Sequence, residues 1–212
     1  MKTFEQMIDG YRNFRAGDWH EERERWAELA EGQSPQVMVI SCSDSRVDPA
    51  QILDVAPGEI FVVRNVAALV PPFETTPGRH GVSAAVEFAV QFLKVKEILV
   101  MGHGLCGGCK AALTQDLHGN EIGEGGFVAH WVDMLDEARE PIAAQLGTDG
   151  REAELAMELE AVKVSLANLM TFPYVADKVE SGELSLHGGH FAIADGILRV
   201  LDETSGEFKP AD

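Results

Sequence analysis

Three short apolar runs constrain this chain most: Gln36-Val37-Met38-Val39-Ile40-Ser41, Ile60-Phe61-Val62-Val63 and Glu97-Ile98-Leu99-Val100-Met101-Gly102. Each is short, β-prone and apolar, the signature of a buried strand. Between the second and third, a Pro-rich loop (Pro71, Pro72, Pro77) leads into Val82–Phe92, where Val82, Val86, Ala89, Val90 and Leu93 share one side of a helix. Strands alternating with helices predict a parallel sheet with right-handed crossovers. Downstream, helices are expected over 107–117, 127–140 and 151–170, with a Gly-rich loop at 119–126 and Pro173 ending the last helical region. Leu184–His187 and Gly196–Leu201 predict a late strand pair. The expected fold is therefore α/β: a parallel-core sheet flanked by helices, with a C-terminal strand pair.

Residues 1–31 stand apart as an N-terminal helical arm. Phe4, Met7, Ile8, Tyr11 and Phe14 recur at helical spacing and need a surface to cover. A charge-rich second helix is expected over Trp19–Ala30. No repeat or long linker divides the rest, so a single domain over 1–212 is expected.

Charge narrows the classes. The chain carries 17 Lys+Arg against 35 Asp+Glu, a formal net charge of −18. Phosphate binding needs clustered basic residues, so nucleic acid and anionic membrane are poor partners. No leader-like apolar run follows the start and no stretch approaches a membrane span, so a cytoplasmic location is expected. Salt adaptation is one reading of the acidity, and a bland acidic surface is another. Three cysteines, Cys42, Cys106 and Cys109, are too few and too odd for a disulfide framework. Metal binding, thiol chemistry and simple burial stay open for them.

Two segments lie where predicted parallel strands end: Ser41-Cys42-Ser43-Asp44-Ser45-Arg46 and His103-Gly104-Leu105-Cys106-Gly107-Gly108. Loops at the carboxyl ends of parallel strands form the ligand crevice of open α/β sheets. Two thiolates and one imidazole suit Zn²⁺ and leave a fourth tetrahedral position open, as catalytic zinc sites do. Asp44 and Arg46 are two apart, so a carboxylate–guanidinium pair beside the metal is expected. Taken singly, Cys42 reads as packing, Ser-Asp-Ser as a turn, and His-x-x-Cys as a weak motif. The joint pattern is far more specific.

These segments resemble the β-class carbonic anhydrases. The similarity continues through Gln33-Ser34-Pro35, Pro57-Gly58-Glu59, Phe61–Ala67, Val70-Pro71-Pro72, Ser165–Leu169 and Gly188-Gly189. The resemblance implies zinc-dependent, reversible hydration of CO₂ to bicarbonate and a proton, by attack of zinc-bound hydroxide. One zinc per chain would sit on Cys42, His103 and Cys106. Zinc lowers the pKa of bound water from 15.7 toward ~7, a figure belonging to the unrelated three-histidine carbonic anhydrases. Asp44 and Arg46 are the implied catalytic pair, with Asp44 orienting the hydroxide or, in a closed form, becoming a conditional fourth ligand. Phe61 and Val66 match substrate-pocket positions, and Gln33 matches a glutamine reaching the neighbouring subunit's substrate. An N–H at Gly107 or Gly108 is implied as a bicarbonate contact. Without the resemblance, Phe61 and Val66 read as strand core and Gln33 as a surface residue.

The resemblance also implies homodimers or higher even oligomers with embracing N-terminal helices. Phe88 replaces a tyrosine common in plant-like members. A second, inhibitory bicarbonate site in one subgroup would use positions 39, 64 and 191. Here these are Val39, Arg64 and Phe191, so the open, plant-like subgroup is favoured. Cys109 is expected to be a buried thiol, and none of the other histidines is assigned a role. Alternative expectations are turnover of CS₂ or COS on the same site, a non-catalytic zinc-stabilised assembly module, or thiol exchange through Cys106 and Cys109.

Overall fold

In the computed structural model, which describes residues 1–211, the chain divides into two compact units, Met1–Ser34 and the remainder from Pro35. The first unit holds α1 (Phe4–Ala16), α2 (Asp18–Glu21) and α3 (Arg23–Glu31). Thr3 and Gln6 form a reciprocal capping box at the start of α1. Gly17 interrupts the helical run, and Phe14 meets Trp26 edge-on with ring centroids 5.7 Å apart. Of the apolar face read from the sequence, Phe4, Met7 and Tyr11 are exposed, Ile8 is partly buried and Phe14 packs on Trp26.

The second unit is built on six strands in the order β2-β1-β3-β4-β5-β6. They are β1 (Val37–Cys42), β2 (Ile60–Asn65), β3 (Glu97–His103), β4 (Ser185–Ala192), β5 (Ile197–Asp202) and β6 (Glu207–Pro210). The first four run parallel, and β5 and β6 close the sheet as antiparallel strands. Met38, Val39 and Ile40 have no solvent exposure at all, because the central parallel strands are covered on both faces. One apolar cluster joins Met38, Ile40, Ile98 and Val100 to Val86, Val90, Phe172 and Val175. The other packs Leu113, Leu135, Met157 and Ala161 around the cysteines.

The helices of this unit are α4 (Pro49–Ile52), α5 (Gly81–Glu87), α6 (Gly107–Thr114), α7 (Gly126–Val132), α8 (Asp136–Leu146), α9 (Arg151–Leu169) and α10 (Pro173–Glu180). Several differ from the sequence reading. The helix expected over 82–92 becomes a π turn at Phe88–Leu93, where Phe88 and Phe92 stack with centroids 5.6 Å apart. Pro173 opens α10 rather than merely ending a helix, because its missing N–H costs nothing at the first helical position. The late strand pair is also more than a hairpin, since β4 joins the parallel core beside β3.

Candidate metal centre

Strands β1 and β3 are parallel neighbours in the register Val37↔Glu97 through Ser41↔Met101. Cys42 and His103 therefore emerge side by side at the carboxyl edge. The turn after β3 brings Cys106 back, and Gly104 N–H ties that turn to the Phe191 carbonyl at 2.9 Å. The ligand atoms of Cys42, His103 and Cys106 all lie within 4.8 Å of one another, and all three residues are buried. Donors shared by one tetrahedral Zn²⁺ sit roughly 3.5–4 Å apart.

The His103 ring is set for such an ion. Its Nδ1 bonds the Gly104 carbonyl at 2.9 Å, while its Nε2 is buried without a protein partner. Metal-bound histidines commonly fix their free nitrogen in this way. Both thiols hold their protons tightly. Contact with Cys106 and then burial push the Cys42 thiol up to about 12. Contact with Cys109, followed by burial, pushes Cys106 up to about 12, although Cys42 opposes the rise. A divalent ion supplies the positive charge that two adjacent thiolates need. The residues present therefore fit zinc. Cys109 lies on α6 as a buried free thiol.

Asp44 and Arg46 form the pair expected from their spacing. Arg46 Nε and backbone N–H each donate to Asp44 Oδ1 at 2.9 Å, and Nη2 donates to Oδ2 at 2.6 Å. The Arg46 side chain is the main reason the Asp44 carboxyl is held well below the usual carboxylate range. Asp44 Oδ2 stands 3.9 Å from the bare His103 Nε2, so the carboxylate borders the metal position. Arg46 Nη2 also donates to the Leu105 carbonyl at 3.0 Å, linking the two ligand loops.

Val66 reaches the same neighbourhood. A Cβ on Gly108 would stand 2.7 Å from Val66 Cγ1 and 2.9 Å from Ala67 Cβ, so the 66–67 segment packs this close on α6 because residue 108 is glycine. Trp131 Nε1 anchors the Val66 carbonyl at 2.8 Å, and Asn65, Val66, Phe127, Val128 and Trp131 line a cleft of about 290 Å³. Gly107 is exposed at the start of α6. Phe61 is not brought to its own chain's cluster. It pairs with Met38, four residues before the Cys42↔Asn65 pair, which is roughly 13 Å along the strand. Gln33 is exposed, between α3 and β1.

Two further residues build the site and were not assigned to it from sequence. Arg64 is wrapped by the Cys42 loop: Nε donates to the Cys42 carbonyl at 2.8 Å, and Nη2 to the Asp44 and Val47 carbonyls at 2.6 and 3.1 Å. Glu158, on α9, accepts from the Leu105 N–H at 2.7 Å behind the metal turn. Glu158 shares a helix face with Ala161, Val162 and Ser165, and a carboxylate on that apolar stripe was the available signal.

A family model described as carbonic anhydrase matches residues 37–198. The chain is 36% identical over 196 residues to β carbonic anhydrase 5, chloroplastic, of Arabidopsis thaliana, covering 91% of this chain and 63% of that protein's length. The solved β-carbonic anhydrase CcaA is similar with a TM-score of 0.90 at 30% identity, over 98% of this chain and 92% of that one. A tetrameric β-carbonic anhydrase of the ascomycete Sordaria macrospora is similar with a TM-score of 0.77 at 29% identity, over 93% and 96% of the two chains.

Proposed function

The chain belongs to the carbonic anhydrase family, in its β class, and from that premise we propose that it catalyses the reversible hydration of CO₂ to bicarbonate and a proton. The observation that carries the proposal is the buried Cys42, His103 and Cys106 group with its bare His103 Nε2, bordered by the Arg46-clamped Asp44. These three side chains would hold one zinc ion. When bound, zinc supplies a water-derived nucleophile near neutral pH and stabilises developing negative charge.

The protein's own groups do the rest. Ionised Asp44 is an acceptor only, so it favours a neighbour that carries a proton and orients it by that hydrogen bond. Arg46 fixes both Asp44 oxygens and so fixes the acceptor direction. The same clamp opposes a swing of Asp44 onto the metal, which supports the open form at neutral pH. Arg64 is engaged by three backbone carbonyls and Val39 is fully buried, which fits the absence of a second bicarbonate site there.

Apolar CO₂ needs an apolar wall, and Val66 offers one beside α6. The Gly107 N–H, at the start of α6, is suited to a bicarbonate oxygen. Phe61 and Gln33 contact substrate only if a partner subunit presents its site to them, so their roles go with an even oligomer. The compartment proposed is the cytoplasm, a reducing one in which buried Cys109 stays a free thiol. No helix among the described residues is long and apolar enough to cross a membrane.

Stopped-flow CO₂ hydration from about pH 6 to about pH 9, paired with metal analysis, tests the proposal. The expected result is about one zinc per chain with turnover. Zinc and activity are both lost in Cys42→Ser, whereas Asp44→Ala keeps zinc and loses activity. Zinc without turnover across that range overturns the enzyme and leaves an assembly module.

A further inference from the structure

We infer that Glu158 is the positioning residue of the metal turn: its buried carboxylate grips the Leu105 and Cys106 amides, is itself fixed by Arg151 and His190, and so holds Cys106 in place to bind zinc. The inference rests on the zinc reading above and deepens it.

The Glu158 side chain is 1% exposed. A carboxylate this deep must be both hydrogen-bonded and charge-balanced, or burial would neutralise it. Glu158 is both. Oε1 accepts from the Leu105 N–H at 2.7 Å, the Cys106 N–H at 3.4 Å and Arg151 Nη1 at 2.7 Å. Oε2 takes Arg151 Nη2 at 2.8 Å and His190 Nε2 at 3.0 Å. Burial opposes ionisation, but His190 and Arg151 outweigh it and hold the carboxyl below its usual range.

The turn it grips needs holding. Leu105 has φ +60°, a left-handed conformation that costs a branched residue about 1–2 kcal/mol. Such strain persists only where the surroundings over-determine it. Here Glu158 takes the Leu105 N–H, Arg46 takes the Leu105 carbonyl, and the Phe191 carbonyl takes the Gly104 N–H. The same turn carries the Gly104 carbonyl that orients His103 and leads directly into Cys106. Glu158 thus reaches two of the three ligands through one peptide segment. Helix α9 comes this close because β3 offers Gly102 there: a Cβ at 102 would stand 2.7 Å from Val162 Cγ2.

The test uses the full chain as wild type, Glu158→Gln, Arg151→Gln, and Glu160→Gln as a control on the outer face of α9. Zinc affinity is read by competition with a chromophoric chelator. Coordination is read from the absorption of the Co²⁺-substituted protein, and turnover from kcat and KM for CO₂. Removing a group that orients metal ligands costs roughly 10–100-fold in affinity or activity. Glu158→Gln is expected to lose zinc affinity and kcat in that range, to shift the Co²⁺ spectrum, and to leave KM near its original value. Arg151→Gln moves the same way by less, and Glu160→Gln leaves all readouts unchanged.

A folded Glu158→Gln with wild-type zinc affinity and Co²⁺ spectrum overturns the inference. If that variant does not fold, the half-exposed Arg151 decides, and wild-type metal behaviour in Arg151→Gln is then the overturning result. A wild-type chain that takes up no zinc overturns the zinc reading and this inference together. A zinc-loaded, active wild type with an indifferent Glu158→Gln overturns this inference alone.

Discussion

A guanidinium that meets a carboxylate through two nitrogens fixes a direction as well as a charge, and Arg46 does this for Asp44. Lysine keeps the charge but cannot reproduce the fork. Arg46→Lys is therefore expected to retain zinc and lose roughly 10–100-fold in activity, measured as kcat/KM beside metal content. A Lys substitution that preserves activity would show that charge alone suffices. A second residue-scale prediction concerns Asp202, whose oxygens take Lys209 Nζ at 2.6 Å and the Ser205 N–H at 2.8 Å. These partners, Lys209 first, hold its carboxyl below the usual range. A depressed folded value means stabilisation that is present above the unfolded pKa of about 3.9 and is lost as pH falls through the folded one. Carboxyl NMR titration of Lys209→Met is expected to move Asp202 upward, and the stability gap to wild type should close in acid. The Asp44–Arg46 pair was legible in the sequence because its partners are two residues apart, although a turn that returns the Arg46 N–H to Asp44 Oδ1, rather than an extended strand, brings them together. Glu158 and Arg64 were not, because each acts on a loop that only folding brings beside it.

At the scale of elements, the site depends on how closely α9 lies on the sheet. Gly102→Ala forces a Cβ against Val162, and overpacking of this kind costs about 1–3 kcal/mol. Thermal unfolding should show a Tm lowered by several degrees, with zinc affinity falling as α9 moves away from the turn. Further along α9, buried Ser165 Oγ accepts from the Val70 N–H at 3.2 Å and donates to the Ala68 carbonyl at 3.3 Å. It pins the 66–70 segment, where Ala67 and Ala68 both have positive φ. Ser165→Ala leaves a buried N–H unpaired and is expected to cost about 1–3 kcal/mol, readable by denaturant unfolding. The apolar strands β1 and β3 were legible because burial on both faces demands unbroken apolar runs. Strand β6 was not, because Glu-Phe-Lys-Pro carries one apolar side chain and pairs only once β5 is in place.

For the whole molecule, the uncovered apolar surface points to assembly. Edge strand β2 exposes Val62, and the adjacent π turn exposes Phe88 and Phe92, with Phe61 at 5.8 Å from Phe88. An open sheet edge beside an aromatic patch is an interface in waiting. Light scattering after gel filtration is expected to give an even oligomer, and Phe92→Asp to lower its mass. A monomeric wild type would remove the partner roles proposed for Phe61 and Gln33. The charge of −18 belongs to this scale as well. Salt screens self-repulsion over about 10 Å at 0.1 M and 3 Å at 1 M. If the acidity is salt adaptation, fold and activity are expected to survive molar NaCl; aggregation or inactivation there would count against that reading.

The sequence by itself determined the parallel core, the helical arm, the Cys42, His103 and Cys106 set, and the Asp44–Arg46 pair. Those features are written in local periodicity and in motifs placed where strands end. Only the tertiary structure decided that Phe61 lies far from its own chain's metal group and that Arg64 serves as a backbone clamp. Only it showed that a carboxylate 52 residues after Cys106 accepts from the Leu105 and Cys106 amides. The physical reason is common to all three. Strand register and helix approach set which distant groups share space, and burial then makes each polar contact obligatory.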